Sequence, residues 1–446
     1  MSQELTSRSP WALHGYKEAI VSPVQGPING SLRVPGSKSY TNRALILAAL
    51  AKGKSTLTGF LKSDDAYWCI ESLRRLGIQL EMEEDEITIE GCNGQWPVKE
   101  AELFIGAAGT IARFLPGALA VCQGGSWQID GIEQLRGRPL SPLIDALRKL
   151  GAEIDYQSAQ EGLPIRVKGT GLRGGSITIP GHVSSQFLSG LLIASSYARD
   201  PVTIQVEHGL VQPDYIGITL QLMKQFGAKV EHDEGYERFT VYPTGYTGGE
   251  ITLEADASTA NYFLTLAALT GGRVRVENVG YHSYQPDAKF IDILEMMGCE
   301  VDKGETYLEV KGAKQLRGGF DIDMKPMSDQ ALTIAALAPF ADAPINVYNV
   351  AHIRTHESDR IAVICQALTK MGIKVEERED GFKIYPGTPR GARLNPHDDH
   401  RQAMVFALLS VKVPGIVIED PGCVSKTCPG FFSELQKLGV QVALKK

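Results

Sequence analysis

Residues 69–77 read Cys-Ile-Glu-Ser-Leu-Arg-Arg-Leu-Gly, and five later segments close in the same way. They are LIDALRKLG ending at Gly151, TLQLMKQFG at Gly227, FIDILEMMG at Gly298, VICQALTKMG at Gly372 and FFSELQKLG at Gly439. The closing glycines lie between 67 and 76 residues apart. Apolar side chains recur in each at i, i+3 and i+4, the signature of a helix with one buried face. The terminal glycine is expected to take the left-handed conformation that ends such a helix. Short alternating stretches such as 152–156, 228–231 and 373–376 follow and predict strands.

Outward from these helices, each unit holds a second one upstream, rich in Ala and Leu. The six are NRALILAALA (42–51), TIARFLPGALAV (110–121), SQFLSGLLIA (185–194), TANYFLTLAAL (259–269), DQALTIAALA (329–338) and HRQAMVFALL (400–409). They are apolar nearly all round and so belong inside. A unit of this length, with two helices and three or four strands, exceeds a solenoid repeat. Six units therefore predict two α/β lobes, each of pseudo-threefold symmetry. The sixth unit stops soon after Gly439, and the strand-like stretch from Glu18 to Val34 is the spare segment that can complete it. The expected domains are 36–253 for units one to three, and 1–35 with 254–446 for units four to six. Two chain crossings, near 35–36 and 253–255, would form a hinge between lobes that close on a cleft.

A chain of 446 residues with 43% hydrophobic and 22% charged residues is globular in composition. Its longest apolar run, Ala44 to Ala51, is far short of the roughly 20 residues that span a bilayer. The first residues, Met1 to Tyr16, carry no apolar leader core, and seven irregularly spaced cysteines fit reduced thiols in a cytoplasm. No CxxC pair and no HExxH occurs, so neither a structural zinc site nor a zincin is expected. The net charge of −7 argues against a nucleic-acid binder but not against a small anion met by locally gathered cations.

The helix entrances decide that question. Thr110, Ser185, Ser258 and Ser328 are good N-cap types, and capping alone would explain them. Capping does not call for Lys or Arg in the first turn, because cations oppose the positive end of the helix dipole. Yet Lys38 and Arg43 flank the first buried helix, Arg113 lies one turn into the second and Arg401 opens the sixth. Arg136, Arg138, Arg354, Arg360 and Lys426 precede or bracket amphipathic helices. Helix N-termini already favour anions, so added cations predict a substrate set with several negative charges. Asp329 and Glu357 stand among these cations as candidate general acid and base. Asp65 and Asp256 occupy comparable places and are read as structural or orienting.

The same residues carry a family resemblance. Pro35-Gly-Ser-Lys-Ser-Tyr-Thr-Asn-Arg43 resembles the PGSKS-x-[ST]-x-R signature of the 5-enolpyruvylshikimate-3-phosphate (EPSP) synthase family. Leu103 to Thr110 with Arg113, Gly137-Arg-Pro139, Ser184-Ser-Gln-Phe187, Glu357-Ser-Asp-Arg360, Asp399-His-Arg401 and Lys426-Thr427 follow in the family's order. The resemblance runs from about residue 17 to the C-terminus. It implies two lobes, each of three βαβαββ units arranged as an inside-out α/β barrel. It implies transfer of the enolpyruvyl group of phosphoenolpyruvate to the 5-hydroxyl of shikimate 3-phosphate, by addition and then elimination, in aromatic amino acid biosynthesis. A cytoplasmic monomer is implied, with no cofactor, no metal, no nucleic acid and no membrane partner. By the same resemblance Lys38, Ser39, Arg43, Ser184, Ser185, Gln186, Tyr215, Asp329 and His356 hold shikimate 3-phosphate. Lys38, Gly109, Arg138, Gln186, Arg360, Arg401 and Lys426 hold phosphoenolpyruvate. Asp329 is expected as the base at the 5-hydroxyl and Glu357 as the acid at the methylene carbon, with Lys38 stabilising the developing charge.

Four positions depart from the family pattern: Ala107 for Asn, Phe114 for Pro, His356 for Lys and Gln212 for Ser. They bear on phosphate affinity and on response to glyphosate, the family's herbicide. His356 is open to two readings, a protonated phosphate ligand or a neutral donor. Three rivals were weighed. The sister transferase acting on UDP-N-acetylglucosamine typically shows Lys-Asn near its start and a mobile-loop Cys. This chain has Lys38-Ser39, and the cysteine nearest upstream of Arg136 to Pro139 is Cys122 in an apolar helix. A transferase for another cyclic acceptor would rest on Gln212 and His356. A non-catalytic anion binder would have no reason to keep Lys38, Asp329 and Glu357 together.

Overall fold

The structure is a computed structural model that describes residues 7–159 and 161–446. The chain divides into two compact units, one of Gly36–Leu253 with residues 7–9, the other of Pro10–Pro35 with Glu254–Lys446. Residues 7–9 correct the expected grouping of 1–35 with the second unit. Ser9 N–H donates to Asp64 Oδ1 at 2.8 Å, and Trp68 Nε1 donates to the Ser7 carbonyl at 2.7 Å, so this segment belongs to the first unit. Residues 1–6 of that expectation lie outside the described residues.

Each unit contains three four-stranded sheets of a single design. In the first unit one sheet runs Glu250–Thr252, Lys52–Thr58, Glu86–Cys92, Leu80–Met82. Its first pair is parallel and the other two pairs are antiparallel. The sheets built on Gln123–Asp130 and Val202–Glu207 repeat that order, as do all three of the second unit. The spare N-terminal stretch is not one strand but two. Glu18–Val21 completes the sixth repeat, antiparallel to Val417–Glu419 and Val442–Lys445. Asn29–Leu32 instead opens the fourth repeat, parallel to Arg273–Val276. Pro23 and Pro27 lie between them, and without an N–H neither can continue a ladder. Glu250–Thr252 does for the first repeat what Asn29–Leu32 does for the fourth.

The apolar helices are the core. Lys38–Leu50, Gly109–Ala120 and Ser185–Ser195 in the first unit are buried along almost their whole length. Ala257–Thr270, Ala331–Leu337 and His400–Ser410 are the same in the second. The amphipathic helices bury one face over them, and all six closing glycines have φ between 83° and 100°. At that φ an L side chain is strained, which is why the residue is glycine each time. No helix among the described residues is long and apolar enough to cross a membrane.

Candidate active site

Within each unit, packing three apolar helices by their sides leaves their N-terminal turns as the places where polar side chains can gather. The caps themselves sit one or two residues upstream of those expected. Ser184 accepts from Gln186 N–H, Asp256 from Thr259 N–H and Asp399 from Arg401 N–H. Each of the three keeps an extended backbone, so Ser185 and Ser258 fall inside the helix. Thr110 accepts a bond from Asn42 Nδ2 at 2.6 Å, tying two buried helices, and Ser328 opens a short 3-10 turn.

In the first unit the hub is Arg43, only 1% exposed. Its Nε donates to Thr219 Oγ1 at 2.7 Å, Nη1 to the Ser39 carbonyl at 3.0 Å, and Nη2 to Ser189 Oγ at 3.2 Å and the Tyr215 carbonyl at 3.4 Å. Burial pulls its pKa down to about 10, against the nearby Tyr215 and Tyr40 hydroxyls, and it stays charged at neutral pH. Arg43 thus spends most of its donors on protein. It brings Ser39 and Tyr215 to one place, beside the helix begun by Ser184, Ser185 and Gln186, but does not itself present a free fork to an anion. Phe114, the departure from Pro, lies with its ring 5.1 Å from the Arg43 guanidinium carbon, a cation–π contact of roughly 1–2 kcal/mol when desolvated.

Lys38 lies in the first turn of Lys38–Leu50 and is partly exposed. A second group forms around Gly109. Arg113 Nη1 donates to the Gly109 carbonyl at 2.9 Å and Nη2 to the Pro139 carbonyl at 3.1 Å, drawing the Arg138 segment to that helix start. A methyl on Gly109 would stand 2.9 Å from Arg138 Nη1, closer than real contacts allow. Arg136, by contrast, closes a two-point bridge on Asp130 at 2.9 and 2.6 Å and serves structure. Arg354 does likewise with Asp359, Glu377 and the Arg378 and Glu379 carbonyls.

In the second unit the predicted cations and carboxylates form one chain of charges. Arg360 Nη1 meets Asp329 Oδ1 at 2.8 Å, its Nη2 meets Glu357 Oε2 at 2.8 Å, and its Nε meets Asp399 Oδ2 at 2.8 Å. Arg401 Nη2 reaches Asp329 Oδ2 at 2.8 Å, and Lys426 Nζ lies 3.4 Å from Glu357 Oε1. Burial disfavours the charge on Arg360, but Asp399, Glu357 and Asp329 more than compensate and hold its pKa above the ordinary value. The same holds for Arg401, compensated by Asp329, Tyr262, Asp287 and Asp256. These cations are therefore not a bare positive patch, as the clustering alone implied. A buried guanidinium requires a partner, and the two candidate catalytic carboxylates supply it.

His356 Nδ1 stands 3.2 Å from Arg360 Nη1. The same Nδ1 lies 3.9 Å from Asp329 Oδ1, so the imidazole stands between a cation and a carboxylate. Three residues of this cluster were given no role from sequence. Asp399 is fully buried behind Arg360, and its place before His-Arg was the signal for it. Tyr262 accepts from Arg401 at 3.2 Å, its pKa pushed up to about 12 by burial against the pull of Arg401. Asp287 sits wholly buried in a 3-10 turn, Pro286–Lys289. Among the described residues no group of three His, Cys, Asp or Glu could hold a metal ion.

The comparisons with known proteins agree on one family. The model of the EPSP synthase (3-phosphoshikimate 1-carboxyvinyltransferase) family matches residues 23–435. A 3-phosphoshikimate 1-carboxyvinyltransferase from Halalkalibacterium halodurans is 52% identical over 439 residues, covering 98% of each chain. The chloroplastic 3-phosphoshikimate 1-carboxyvinyltransferase of Solanum lycopersicum is 39% identical, with 94% of this chain and 84% of that one covered. Among solved structures, the EPSP synthase of Acinetobacter baumannii superposes with a TM-score of 0.82 at 26% identity, over 96% of this chain and 100% of that one. That likeness carries the expected two-lobe α/β fold as well as the sequence kinship. This chain belongs to the EPSP synthase family.

Proposed function

We propose that this chain transfers the 1-carboxyvinyl group of phosphoenolpyruvate to the 5-hydroxyl of shikimate 3-phosphate and releases phosphate. The full-length match to 3-phosphoshikimate 1-carboxyvinyltransferases supports the reaction. The observation that carries the roles is Arg360, a single guanidinium 2.8 Å from both Asp329 and Glu357. Asp329 takes the 5-hydroxyl proton as that oxygen adds to C2 of phosphoenolpyruvate, and Glu357 gives a proton to C3, making a methyl group. The tetrahedral ketal then collapses. The methyl group returns a proton to the protein, the C2–C3 double bond re-forms and phosphate departs with the C–O bonding pair.

Neutralised cations explain how the acid acquires its proton. Phosphoenolpyruvate brings carboxylate and phosphate oxygens that compete with Glu357 for Arg360 and Lys426. Once those cations turn to the substrate, the anionic form of Glu357 loses its support and a proton is favoured there. Arginine suits the task because its planar fork meets two oxygens together.

In this reading Arg138, Gly109, Gln186, Arg360, Arg401, Lys38 and Lys426 hold phosphoenolpyruvate. Lys38, Ser39, Arg43, Ser184, Ser185, Gln186, Tyr215, Asp329 and His356 hold shikimate 3-phosphate. Arg43 also braces Ser39 and Tyr215 through their carbonyls. The same reading takes the chain as a monomer working in the cytoplasm. The test is phosphate release from phosphoenolpyruvate with shikimate 3-phosphate or with UDP-N-acetylglucosamine as acceptor. Release with the first acceptor alone is expected, and silence with it overturns the proposal.

A further inference from the structure

Behind the paired carboxylates of the second unit lies Asp287, to which the reaction above gives no task. It is 2% exposed, and its Oδ1 accepts from Gln330 Nε2 at 2.9 Å. Its backbone carbonyl accepts from Asn261 Nδ2 at 2.8 Å, which fixes the turn that carries it. Gln330 is the residue after Asp329 and is wholly buried; its Oε1 accepts from Thr333 Oγ1 at 2.9 Å. Both ends of that amide are clamped. On the other side of Asp329, Ser328 Oγ lies 2.8 Å from His352 Nε2. The short turn Ser328–Gln330 is thereby held from both flanks, and Asp287 holds one of them.

Asp287 also shares an electrostatic environment with Asp329. Burial pushes its carboxyl up to about 6, the Asp329 charge adds to this, Arg401 and the Gln330 bond pull it back, and Asp256 raises it again. The charges that act on it are Asp329 on the 328–330 turn, Arg401 on His400–Ser410, and Asp256, the cap of Ala257–Thr270. Asp292 and Glu295 of the next helix pair with Lys303 instead.

The placement of Asp329 matters because a general base acts only within hydrogen-bond reach of the proton it takes. We propose that Asp287 is a positioning residue for Asp329: its Oδ1, 2.9 Å from Gln330 Nε2, fixes the turn that carries the base. This rests on Asp329 being the base at the 5-hydroxyl.

The test is the split between kcat and KM for shikimate 3-phosphate in Asp287→Leu, which takes the acceptor from Gln330, set beside Asp287→Asn, which keeps an oxygen there. Asp287→Leu should lower kcat about tenfold with KM unchanged, and Asp287→Asn should restore most of it. Wild-type kcat in Asp287→Leu, or an equal loss in Asp287→Asn, overturns the proposal. Gln330→Met carries the test if Asp287→Leu does not fold. It should lower kcat about tenfold with KM unchanged, and wild-type kcat there is equally fatal. Asp329→Asn, run alongside, tests the underlying base assignment separately, since only failure of that assignment leaves Asp329→Asn active.

Discussion

Asp329 and Arg360 are joined at 2.8 Å, and the other oxygen of the same carboxylate is equally close to Arg401. The proposed base is thus also the counter-ion of the two arginines proposed to hold phosphoenolpyruvate. Removing its charge should separate these tasks. Asp329→Asn is expected to cut turnover by about 10²–10⁴, the usual contribution of a positioned base. Binding of phosphoenolpyruvate should hold or tighten, because both arginines lose a competing anion. Phosphate-release rates set beside calorimetric titration check both halves; turnover near wild type refutes the assignment.

Glu357 shares Arg360 and lies 3.4 Å from Lys426. Glu357→Gln keeps the shape and removes the transferable proton. Its kcat should fall by about 10²–10⁴ while KM for both substrates moves by less than about tenfold. Rapid-quench analysis should show that formation of the ketal, not substrate capture, is the slowed step. A variant whose losses are confined to KM would make Glu357 a binding group and leave the acid to be found elsewhere.

Much of the fold was readable because it is local and repeated. Helix faces and closing glycines announce themselves within one unit, and six copies make the pattern unambiguous. Strand exchange was read in part: the need for a spare strand follows from the truncated sixth unit, but its division at Pro23 and Pro27 serves two sheets that lie far apart in sequence. The site residues of motifs such as Glu357 to Arg360 were legible as residues, not as partners. Nothing in the run of the chain says that Arg360 meets Asp329 and Asp399, or that Arg136 and Arg354 are spent on local carboxylates. Asp287 and Gln330 were invisible for the same reason, since a lone buried carboxylate has no periodicity. Arg43 was legible as a motif residue in the same way, but not as the neighbour of Thr219, Ser189 and the Ser39 and Tyr215 carbonyls.

Asp287 also predicts how stability depends on pH. Its folded-state pKa, about 6, lies above the ordinary 3.8, so between these values the folded chain binds more protons than the unfolded one. Stability from this group is then present below about pH 4 and is lost as pH rises through about 6. The ionised, buried carboxylate costs up to about 3 kcal/mol at neutral pH. Asp287→Asn should therefore melt several degrees above wild type at pH 7.5, with the gap closing by pH 4.5. Scanning calorimetry across that range decides it, and a variant less stable than wild type at pH 7.5 would show that the charge supports the fold.

Gly109 tests the first unit. A methyl there meets Arg138 Nη1 at 2.9 Å and Arg113 Nη1 at 3.4 Å. Arg113 is anchored to the Gly109 and Pro139 carbonyls, so the partly exposed Arg138 is the side chain that must give way. Gly109→Ala should raise KM for phosphoenolpyruvate about tenfold, with a smaller fall in kcat and little change in thermal stability. Because the damage runs through Arg138, it should be non-additive. In an Arg138→Ala background the same methyl should cost much less than alone, a coupling of about 1 kcal/mol in a double-mutant cycle. Full additivity would mean that the methyl acts on the substrate directly and that Arg138 is not the group it displaces.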